Sequence, residues 1–500
     1  MLCMQMTAEG MRISIPACTA VPLLLALVCT RALAAEISLA PAHLPRIGSV
    51  DERFQSYNIE MVEVTGGPFW KPYGAPIAGL FSERRPKDLG NARLRRLAAA
   101  LSPAFMRVAG TSANTTYFAE PHDRSAAPAG FKTTLTRRQW QGVVEFSRAV
   151  NAPIVTSFAI SDGTRDTDGA WSPAQARRLL AATRAMGGHI AAAELMNEPD
   201  LPAIGGAPAG YDAAAFRRDF AVFSAFMKQE APGVMILGPG TGSDASAASD
   251  LFAAAAGAID AVSYHHYGTV SKRCGGRQTP DAALSEAWLA RTDQAHAGYR
   301  ALRDRLAPGR PIWLTETAEA ACGGNPWSAT FLDTFRYLDQ LGRLARLSVQ
   351  IVMHNTLAAS DYGLLDEHSF VPRPNYWGAL LWRQFMGTSV LDSGVPIEMG
   401  LHVYAHCQRR TSGGVALLVI NNDRNAARTL TLPEASERYT LDAASLQDGS
   451  VRLNGSQLAL DAAGELPHLA GVKLAAGRIT FAPATITFLA IPGAGNSACR

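Results

Sequence analysis

Eight short apolar runs between Tyr57 and Asn355, separated by stretches of helical period, constrain the fold more than any other feature of the sequence. They are Tyr57–Val64, Ala104–Ala109, Ile154–Ile160, Ile190–Met196, Val234–Leu237, Ala261–Tyr267, Ile312–Thr317 and Val349–Asn355. Runs of this length, without strict alternation, read as strands buried on both faces, and strands joined by helices run parallel. Eight of them predict a closed (β/α)8 barrel.

The connecting segments carry helix signals. Ser172-Pro173-Ala174-Gln175 offers an N-cap, a proline for the first turn and a capping-box glutamine, and Gly187-Gly188 stops that helix. Phe216, Phe220, Phe223 and Met227 mark one buried face of the next, which ends at Pro232-Gly233. Thr136–Val150, Ala282–Leu306, Ser328–Leu344 and Tyr376–Phe385 read as further helices. No internal repeat is visible beyond this alternation.

From Gly400 the texture changes to strands punctuated by turn residues: Val403–Cys407, Val415–Ile420, Thr429–Leu432, Tyr439–Leu441 and Ile479–Ile491. These predict a β-sandwich, completed by a lone strand at Glu36–Leu39. The expected division is a signal peptide over 1–34, an N-terminal strand segment over 35–50, a barrel over 51–395 and a sandwich over 396–500.

Met11-Arg12, the apolar Val21–Val28 run and Ala32-Leu33-Ala34 have the order of a secretory signal cleaved after Ala34, with Met1 or Met11 as the start. The apolar core is shorter than the ~20 residues of a membrane span. The expected location is therefore secreted or periplasmic, with no membrane attachment once the signal is removed. Cys3, Cys18 and Cys29 leave with that segment, so Cys274, Cys322, Cys407 and Cys499 remain. Four cysteines in an oxidising compartment suggest two disulfides, and three pairings are open. Cys274 and Cys322 both follow expected barrel strands, and Cys407 and Cys499 both lie in the C-terminal β region, which favours 274 with 322 and 407 with 499; four unpaired thiols is the alternative.

A net charge of +3 gives no bulk attraction to nucleic acid. Metal-ligand spacings, phosphate-binding glycine loops and cofactor signatures are not evident in the sequence, so neither metal nor cofactor is expected. The chemistry lies elsewhere. Asn197-Glu198-Pro199 follows the fourth apolar run, and Glu316 stands at the end of the seventh, in Trp313-Leu314-Thr315-Glu316-Thr317. Barrels display reactive groups at the C-terminal ends of their strands, and 118 residues between the two carboxylates fit three further repeats of about 40 residues. Such a pair suits double-displacement glycoside hydrolysis, in which one carboxyl protonates the leaving oxygen and the other attacks the anomeric carbon. Glu198 is the expected acid. Glu194 competes for that role but lies deeper in its strand, and Glu319, the competitor of Glu316, belongs to the following loop. In Ser263-Tyr264-His265-His266-Tyr267, period-two alternation puts His265 and Tyr267 on one face and His266 on the other, so the Tyr267 hydroxyl can hold the nucleophile.

The chain resembles glycoside hydrolase family 79, the heparanase family. The likeness rests on Phe54-Gln55-Ser56-Tyr57-Asn58-Ile59-Glu60, Leu101-Ser102-Pro103-Ala104-Phe105-Met106-Arg107, Asn197-Glu198-Pro199, Trp313-Leu314-Thr315-Glu316-Thr317, Leu365-Asp366-Glu367 and Pro374-Asn375-Tyr376-Trp377, and covers most of the barrel. The resemblance implies Glu198 as acid/base, Glu316 as nucleophile and Asn197 as the neighbour of the sugar 2-hydroxyl. Glu60 and Thr111 match positions that bind glucuronate hydroxyls; Tyr362 and the backbone of Cys322-Gly323-Gly324 match those that hold its carboxylate. It further implies endo cleavage of glucuronic acid to glucosamine linkages in heparan sulfate, an acidic polysaccharide. An exo-acting β-glucuronidase of the same family and a non-catalytic glycan-binding protein are the alternatives.

Two departures stand out. Ala321 and Cys322 replace a tyrosine that precedes the glycines in animal members, so a differently shaped loop is expected. The segment Phe118–Thr134 is short where those members carry an excised piece, so a single-chain monomer active without processing is expected. Lys272, Arg273 and Arg277 flank Cys274 and are candidate sulfate contacts, whereas Arg84-Arg85-Pro86-Lys87 and Arg93, Arg95 and Arg96 read as solvated helix faces.

Overall fold

The structure, a computed structural model, describes residues 37–73, 79–123 and 126–500. The expected signal segment, its cleavage point after Ala34, its alternative starts Met1 and Met11, and Cys3, Cys18 and Cys29 lie outside the described residues. Eight parallel strands close a ring in chain order: β1 (Gln55–Glu60), β2 (Met106–Ala109), β3 (Ile154–Ser157), β4 (Ile190–Glu194), β5 (Met235–Thr241), β6 (Ala261–Tyr267), β7 (Ile312–Ala318) and β8 (Ile351–His354), with β8 returning to β1. The predicted barrel is present.

Inside the ring, near the N-terminal ends of the strands, Val155, Ala192, Leu237, Ala261, Trp313, Ile351 and Met353 form their own apolar cluster. Phe105 closes it, with its ring centroid 5.2 Å from that of Trp313. The outward side chains of the same strands join the helices in the main core. Polar residues follow the plug on the inner face, towards the C-terminal ends.

β7 breaks the alternation. Tyr264 is opposite Leu314, but His265 is opposite Glu316, so Thr315 is an extra residue, a β-bulge. Trp313 faces inward, and regular alternation from it would turn Glu316 towards the helices. The bulge puts Glu316 on the inner face beside His265.

Several boundaries differ from the sequence expectation for identifiable reasons. The first apolar run leaves the sheet at Glu60, and Met61–Thr65 is a short helix whose Met61, Val62 and Val64 are buried, so hydrophobicity there reports packing and not strand. β5 continues through Gly238-Pro239 to Thr241, beyond the apolar run that ends at Leu237. At the helix Ala174–Ala185, Ser172 Oγ accepts from the Ala174 N–H at 3.4 Å, but Gln175 does not complete a capping box, because it instead accepts from the Phe118 N–H at 2.8 Å. The helix expected over Ala282–Leu306 is broken into Pro280–Leu284, Glu286–Leu289 and Arg291–Leu306. By contrast, Arg137–Ala149 starts at Thr136 with Gln139 completing a capping box, and Phe216, Phe220, Phe223 and Met227 are buried.

Two further sheets follow the barrel. One has nine strands and includes Met386–Leu391, His402–Gln408, Val415–Asn421, Ser436–Asp442 and Thr485–Ile491, with Arg46–Ser49 paired to Met386–Leu391. The other has three: Ile37–Ser38, Arg428–Leu432 and Gly477–Phe481. Val403, Leu417 and Leu489 of the first face Leu430, Ile479 and Phe481 of the second, which makes a sandwich. The N-terminal strand thus joins the sandwich, as expected. The single strand predicted at Ile479–Ile491 is two strands, one in each sheet, and the strand Met386–Leu391 has no counterpart in the sequence reading.

Cys274 is bonded to Cys322 and Cys407 to Cys499, the favoured pairing. The helix Phe331–Arg346 carries a buried charge cluster between barrel and sandwich. Asp339 accepts from Tyr404, contacts His402, and is paired at 2.6 Å with Arg343, which also meets Glu286 and Asp293. His402 and Tyr404 come from the sandwich strand His402–Gln408. Burial raises the cost of charge on both partners, yet their mutual attraction prevails: Asp339 falls to about 2 and His402 rises to about 9.

Candidate active site

Glu198 lies just past β4, in the left-handed region at φ +47°. The turn is held from two sides: its N–H donates to Gly240 O at 3.1 Å, and the Asn114 amide exchanges bonds of 2.8 and 2.9 Å with the Asn197 backbone. A side chain at Gly242 would meet Glu198 Oε1 at 2.5 Å, so a glycine there makes room for the carboxylate.

β6 and β7 bring the second carboxylate opposite. Tyr267 donates to Glu316 Oε1 at 2.6 Å, and Asn355 donates to the Tyr267 oxygen at 3.0 Å. His265 places Nδ1 3.0 Å from Glu198 Oε1 and 3.7 Å from Glu316 Oε2. His266 faces away and is pushed down to about 4 by burial and by Arg336 and Arg291. The expected split of the two histidines matches this geometry. Oxygens of Glu198 and Glu316 and a ring nitrogen of His265 all lie within 4.8 Å of one another.

Arg107, on the inner face of β2, is the residue that sequence reasoning missed. It donates to Glu194 Oε2 at 2.9 and 3.1 Å, to Glu316 Oε2 at 2.9 Å and to Asn197 Oδ1 at 2.8 Å. A guanidinium only donates, so its 3.2 Å contact to His265 Nε2 makes that nitrogen the acceptor in the neutral ring and directs Nδ1–H at Glu198. The available signal was a charged residue in the middle of an apolar run, a position where charge is found only when paired. Glu194 is buried beneath the mouth, as expected, and serves as the anchor of Arg107. Glu319 is buried in a different network, accepting from Asn325 and Ser328.

These contacts set the two carboxyls apart. Burial raises Glu198, and the His265 bond offsets this only in part. Burial acts the same way on Glu316, but His265, Arg107 and the Tyr267 hydroxyl override it and hold Glu316 below the usual carboxylate range. Burial also works against a charge on His265, and Glu316 and Glu198 override it, so the ring is held above its ordinary value. Neighbouring acids whose environments push their proton affinities apart are the arrangement needed for one donor and one nucleophile. The same three residues could offer a metal two carboxylates and an imidazole, but the Arg107 cation sits among them, so the set does not suit an ion.

The remaining residues singled out from the sequence divide between buried and exposed positions. Glu60 ends β1, buried and pressed against Gly110, where a Cβ would meet Glu60 Oε2 at 1.6 Å. Burial, reinforced by Glu316, holds its carboxyl well above the ordinary value. Thr111 follows Gly110 and is exposed. Tyr362 is buried, and its hydroxyl accepts from Asn355 at 3.3 Å. Cys322, Gly323 and Gly324 have φ of +61°, +78° and +84°, and their three successive N–H groups have no acceptor among the described residues. Lys272 and Arg277 are exposed. Arg273 is drawn inward over the Tyr73 ring at 3.9 Å and paired with Asp361 at 2.9 Å, which commits its charge away from any sulfate. Arg84 and Lys87 are not on a helix either. Arg84 ends the strand Phe81–Arg84 and is paired with Glu367, and Lys87 donates to Ala358 O at 2.7 Å; Arg93, Arg95 and Arg96 do lie on the helix Ala92–Ala100.

Comparison with known proteins gives concordant results. Residues 91–342 match glycosyl hydrolase family 79, N-terminal domain. The chain is 29% identical to heparanase of Mus musculus over 479 residues, 82% of this chain and 88% of that protein. It is 32% identical to the baicalin-β-D-glucuronidase of Scutellaria baicalensis over 211 residues, spanning only 40% of the length of each. Among solved structures, a 4-O-α-L-rhamnosyl-β-D-glucuronidase from Fusarium oxysporum superposes with a TM-score of 0.64 at 14% identity over 91% of this chain and 99% of that one. A family 51 arabinofuranosidase from Xanthomonas axonopodis pv. citri has a TM-score of 0.64 at 15% identity over 89% and 97%. At these identities the shared property is the fold.

Proposed function

Because the chain belongs to glycosyl hydrolase family 79, we propose that this glycosidase is a retaining β-D-glucuronidase acting within heparan sulfate. Glu316 attacks the anomeric carbon while Glu198 protonates the leaving oxygen, and Glu198 then deprotonates the water that releases the sugar. The observation that carries this reading is the opposite displacement of two carboxyls whose oxygens approach within 4.8 Å. Retaining pairs stand about 5 Å apart, and inverting pairs are wider by a water. Arg107 and Tyr267 keep Glu316 ionised and aimed, and Asn197, beside Glu198, would take the sugar 2-hydroxyl.

A glucuronate carboxylate suits the three unengaged N–H groups of Cys322, Gly323 and Gly324, since N–H donors bind carboxylates by charge-assisted bonds. Tyr362 lies on the same side, and Glu60 and Thr111 would take the ring hydroxyls. Lys272 and Arg277 are available to sulfates. With two disulfides, a secreted or periplasmic location is consistent, and among the described residues no helix is long and apolar enough to cross a membrane. We take the active form to be an unprocessed single-chain monomer.

One feature favours the exo alternative. The hairpin Gly67–Trp70 with Phe81–Arg84 is held against the loops after β6, β7 and β8: Arg273 donates to Lys71 O, Asp361 accepts from the Tyr73 N–H at 3.2 Å, and Trp70 packs on Gly323. A wall on that side would limit how far a chain extends past the cleaved sugar. Incubation with heparan sulfate followed by product sizing separates the readings. A rapid fall in chain length is expected for endo cleavage, release of monosaccharide alone would establish exo action, and failure to cleave either heparan sulfate or an aryl β-glucuronide would overturn the glucuronidase assignment.

A further inference from the structure

At the opposite end of the barrel from the mouth, four arginines gather with no carboxylate within 4 Å of their guanidinium groups among the described residues. Arg53 precedes β1, Arg383 lies in the last turn of the helix Pro374–Phe385, and Arg409 and Arg410 form the turn after the sandwich strand His402–Gln408. A cavity of about 300 Å³ opens there, lined by Ser102, Leu380, Arg383, Gln384, Arg409 and Arg410. Of the four buried arginines among the described residues, Arg107, Arg336 and Arg343 each face a carboxylate within 3 Å, and Arg383, only 6% exposed, faces none.

Arg383 donates to the carbonyls of Glu52 and Gln55 at 2.8 and 3.1 Å, but its Nε has no acceptor, and neither has the Nε of Arg409. An unpaired buried cation is costly, and a buried donor without an acceptor adds to the cost. Burial together with the neighbouring Arg409 lowers Arg383 to about 9, and burial lowers Arg409 as well. The C-terminus of Pro374–Phe385 and that of Ala92–Ala100, whose Ala99 and Ala100 border the cavity, supply partial negative charge. A helix end is worth only about half a unit charge, and the one carboxylate that acts on Arg383 and Arg409, that of exposed Glu52, stands farther than ion-pair distance, so the guanidinium cluster keeps a net positive charge.

We propose that this cavity on the barrel floor is an oxoanion site, in which Arg383, Arg409 and Arg410 bind a sulfate or phosphate group. Planar guanidinium forks match the oxygens of such groups, and Ser102 and Gln384 add neutral donors at the rim. The site is remote from the catalytic carboxylates and does not depend on the reading of their substrate. Its ligand is either a free inorganic ion or an esterified sulfate on a glycan held away from the mouth.

The test is the melting temperature of the full chain at constant ionic strength, with chloride replaced stepwise by inorganic sulfate or phosphate. A saturable rise is expected for both ions, absent in the Arg409→Ala/Arg410→Ala double variant, with hydrolysis of an aryl β-glucuronide unchanged. Gln384→Glu supplies a carboxylate at the rim, so it should raise the melting temperature in chloride and abolish the response to sulfate. A sulfated oligosaccharide titrated into the Glu316→Gln chain then separates the sources. A loss of affinity of about tenfold or more on adding Arg409→Ala/Arg410→Ala assigns the site to a glycan sulfate, and a response to inorganic ions alone assigns it to a free oxoanion. Equal shifts by chloride and sulfate, or an undiminished sulfate response in the double variant, would overturn the site.

Discussion

Two buried charge clusters in this molecule are built from the same residue types and do opposite things. At the mouth, Arg107, Glu194, Glu198, His265, Glu316 and Tyr267 interlock; at the seam between barrel and sandwich, Asp339, Arg343, His402, Tyr404, Glu286 and Asp293 do so. In both, an arginine bridges carboxylates, a histidine stands between two acids and a tyrosine donates to a carboxylate. The seam concentrates its donors on Asp339, and the resulting pair with His402 is firmly charged on both sides. The mouth shares its donors unequally. Glu316 receives Arg107 and Tyr267, whereas Glu198 has His265 and a 3.4 Å contact from Asn197. On the proposed reading, that inequality, and not the number of charges, separates a reactive cluster from a structural one.

The comparison breaks most visibly at Glu316. Glu316→Gln should lower kcat/KM for an aryl β-glucuronide by on the order of 10⁴-fold or more with the melting temperature nearly unchanged; retained turnover would reduce the mouth to another structural cluster. Asp339→Ala is the mirror experiment. It removes the buried partner that Arg343 and His402 share and leaves them only the more exposed Glu286 and Asp293, and denaturant unfolding should report a loss of roughly 3 kcal/mol while kcat/KM stays put. If activity fell in step with stability, the seam would not be separable from the site.

Glu198→Gln should be next in size, costing about 10²-fold or more with a poor leaving group such as a glycan and much less with a good aryl leaving group. Equal losses would remove the acid role.

The smallest effects are in pH. His402 is raised from about 6.5 in the unfolded chain to about 9 in the folded one, so its contribution is full below the unfolded value and is lost as pH rises through about 9. Asp339 has the reverse sign, its contribution being present above about 3.9 and lost as pH falls through about 2. Stability measured from acid to alkali should therefore be flat between about 3.9 and about 6.5 as far as the seam is concerned, declining on either side, and His402→Gln should remove the alkaline decline. Activity follows other groups: kcat/KM should fall in acid as Glu316 is protonated, below the ordinary carboxylate range, and fall on the alkaline side as Glu198 loses its proton, above that range. A profile centred on ordinary carboxylate values would contradict the unequal sharing.

The barrel was legible because burial on both faces leaves an apolar run at every strand, and Glu198 and Glu316 because each follows such a run. The disulfide pairing followed from the elements that carry the cysteines. What stayed hidden depends on partners distant in sequence. Arg107 acquires meaning only through Glu194 and Glu316, and Asp339 with Arg343, an i,i+4 pair on a helix, has the appearance of a solvated surface pair until His402 and Tyr404 cover it. The strand Met386–Leu391 was missed because it continues directly from the helix Pro374–Phe385 with no turn residue between them. Arg273 drew attention as a free charge because Asp361 lies 88 residues away.

Thr315 gives the barrel a parity. One surplus residue converts an odd count from Trp313 into an even one, so that the interior apolar plug and the carboxylate above it, which a regular strand would put on opposite sides, share a face. Were Thr315 instead taken into the pleat so that the strand ran regularly, the hydrophobic positions of its first half would stay in place, yet the carboxylate would turn to the helix layer; deleting Thr315 outright would leave two steps from Trp313 and keep the carboxylate inside. The face this carboxylate occupies is therefore set by a frame as well as by a residue type: at its distance from Trp313 the glutamate reaches the interior only because Thr315 is taken out of the alternation.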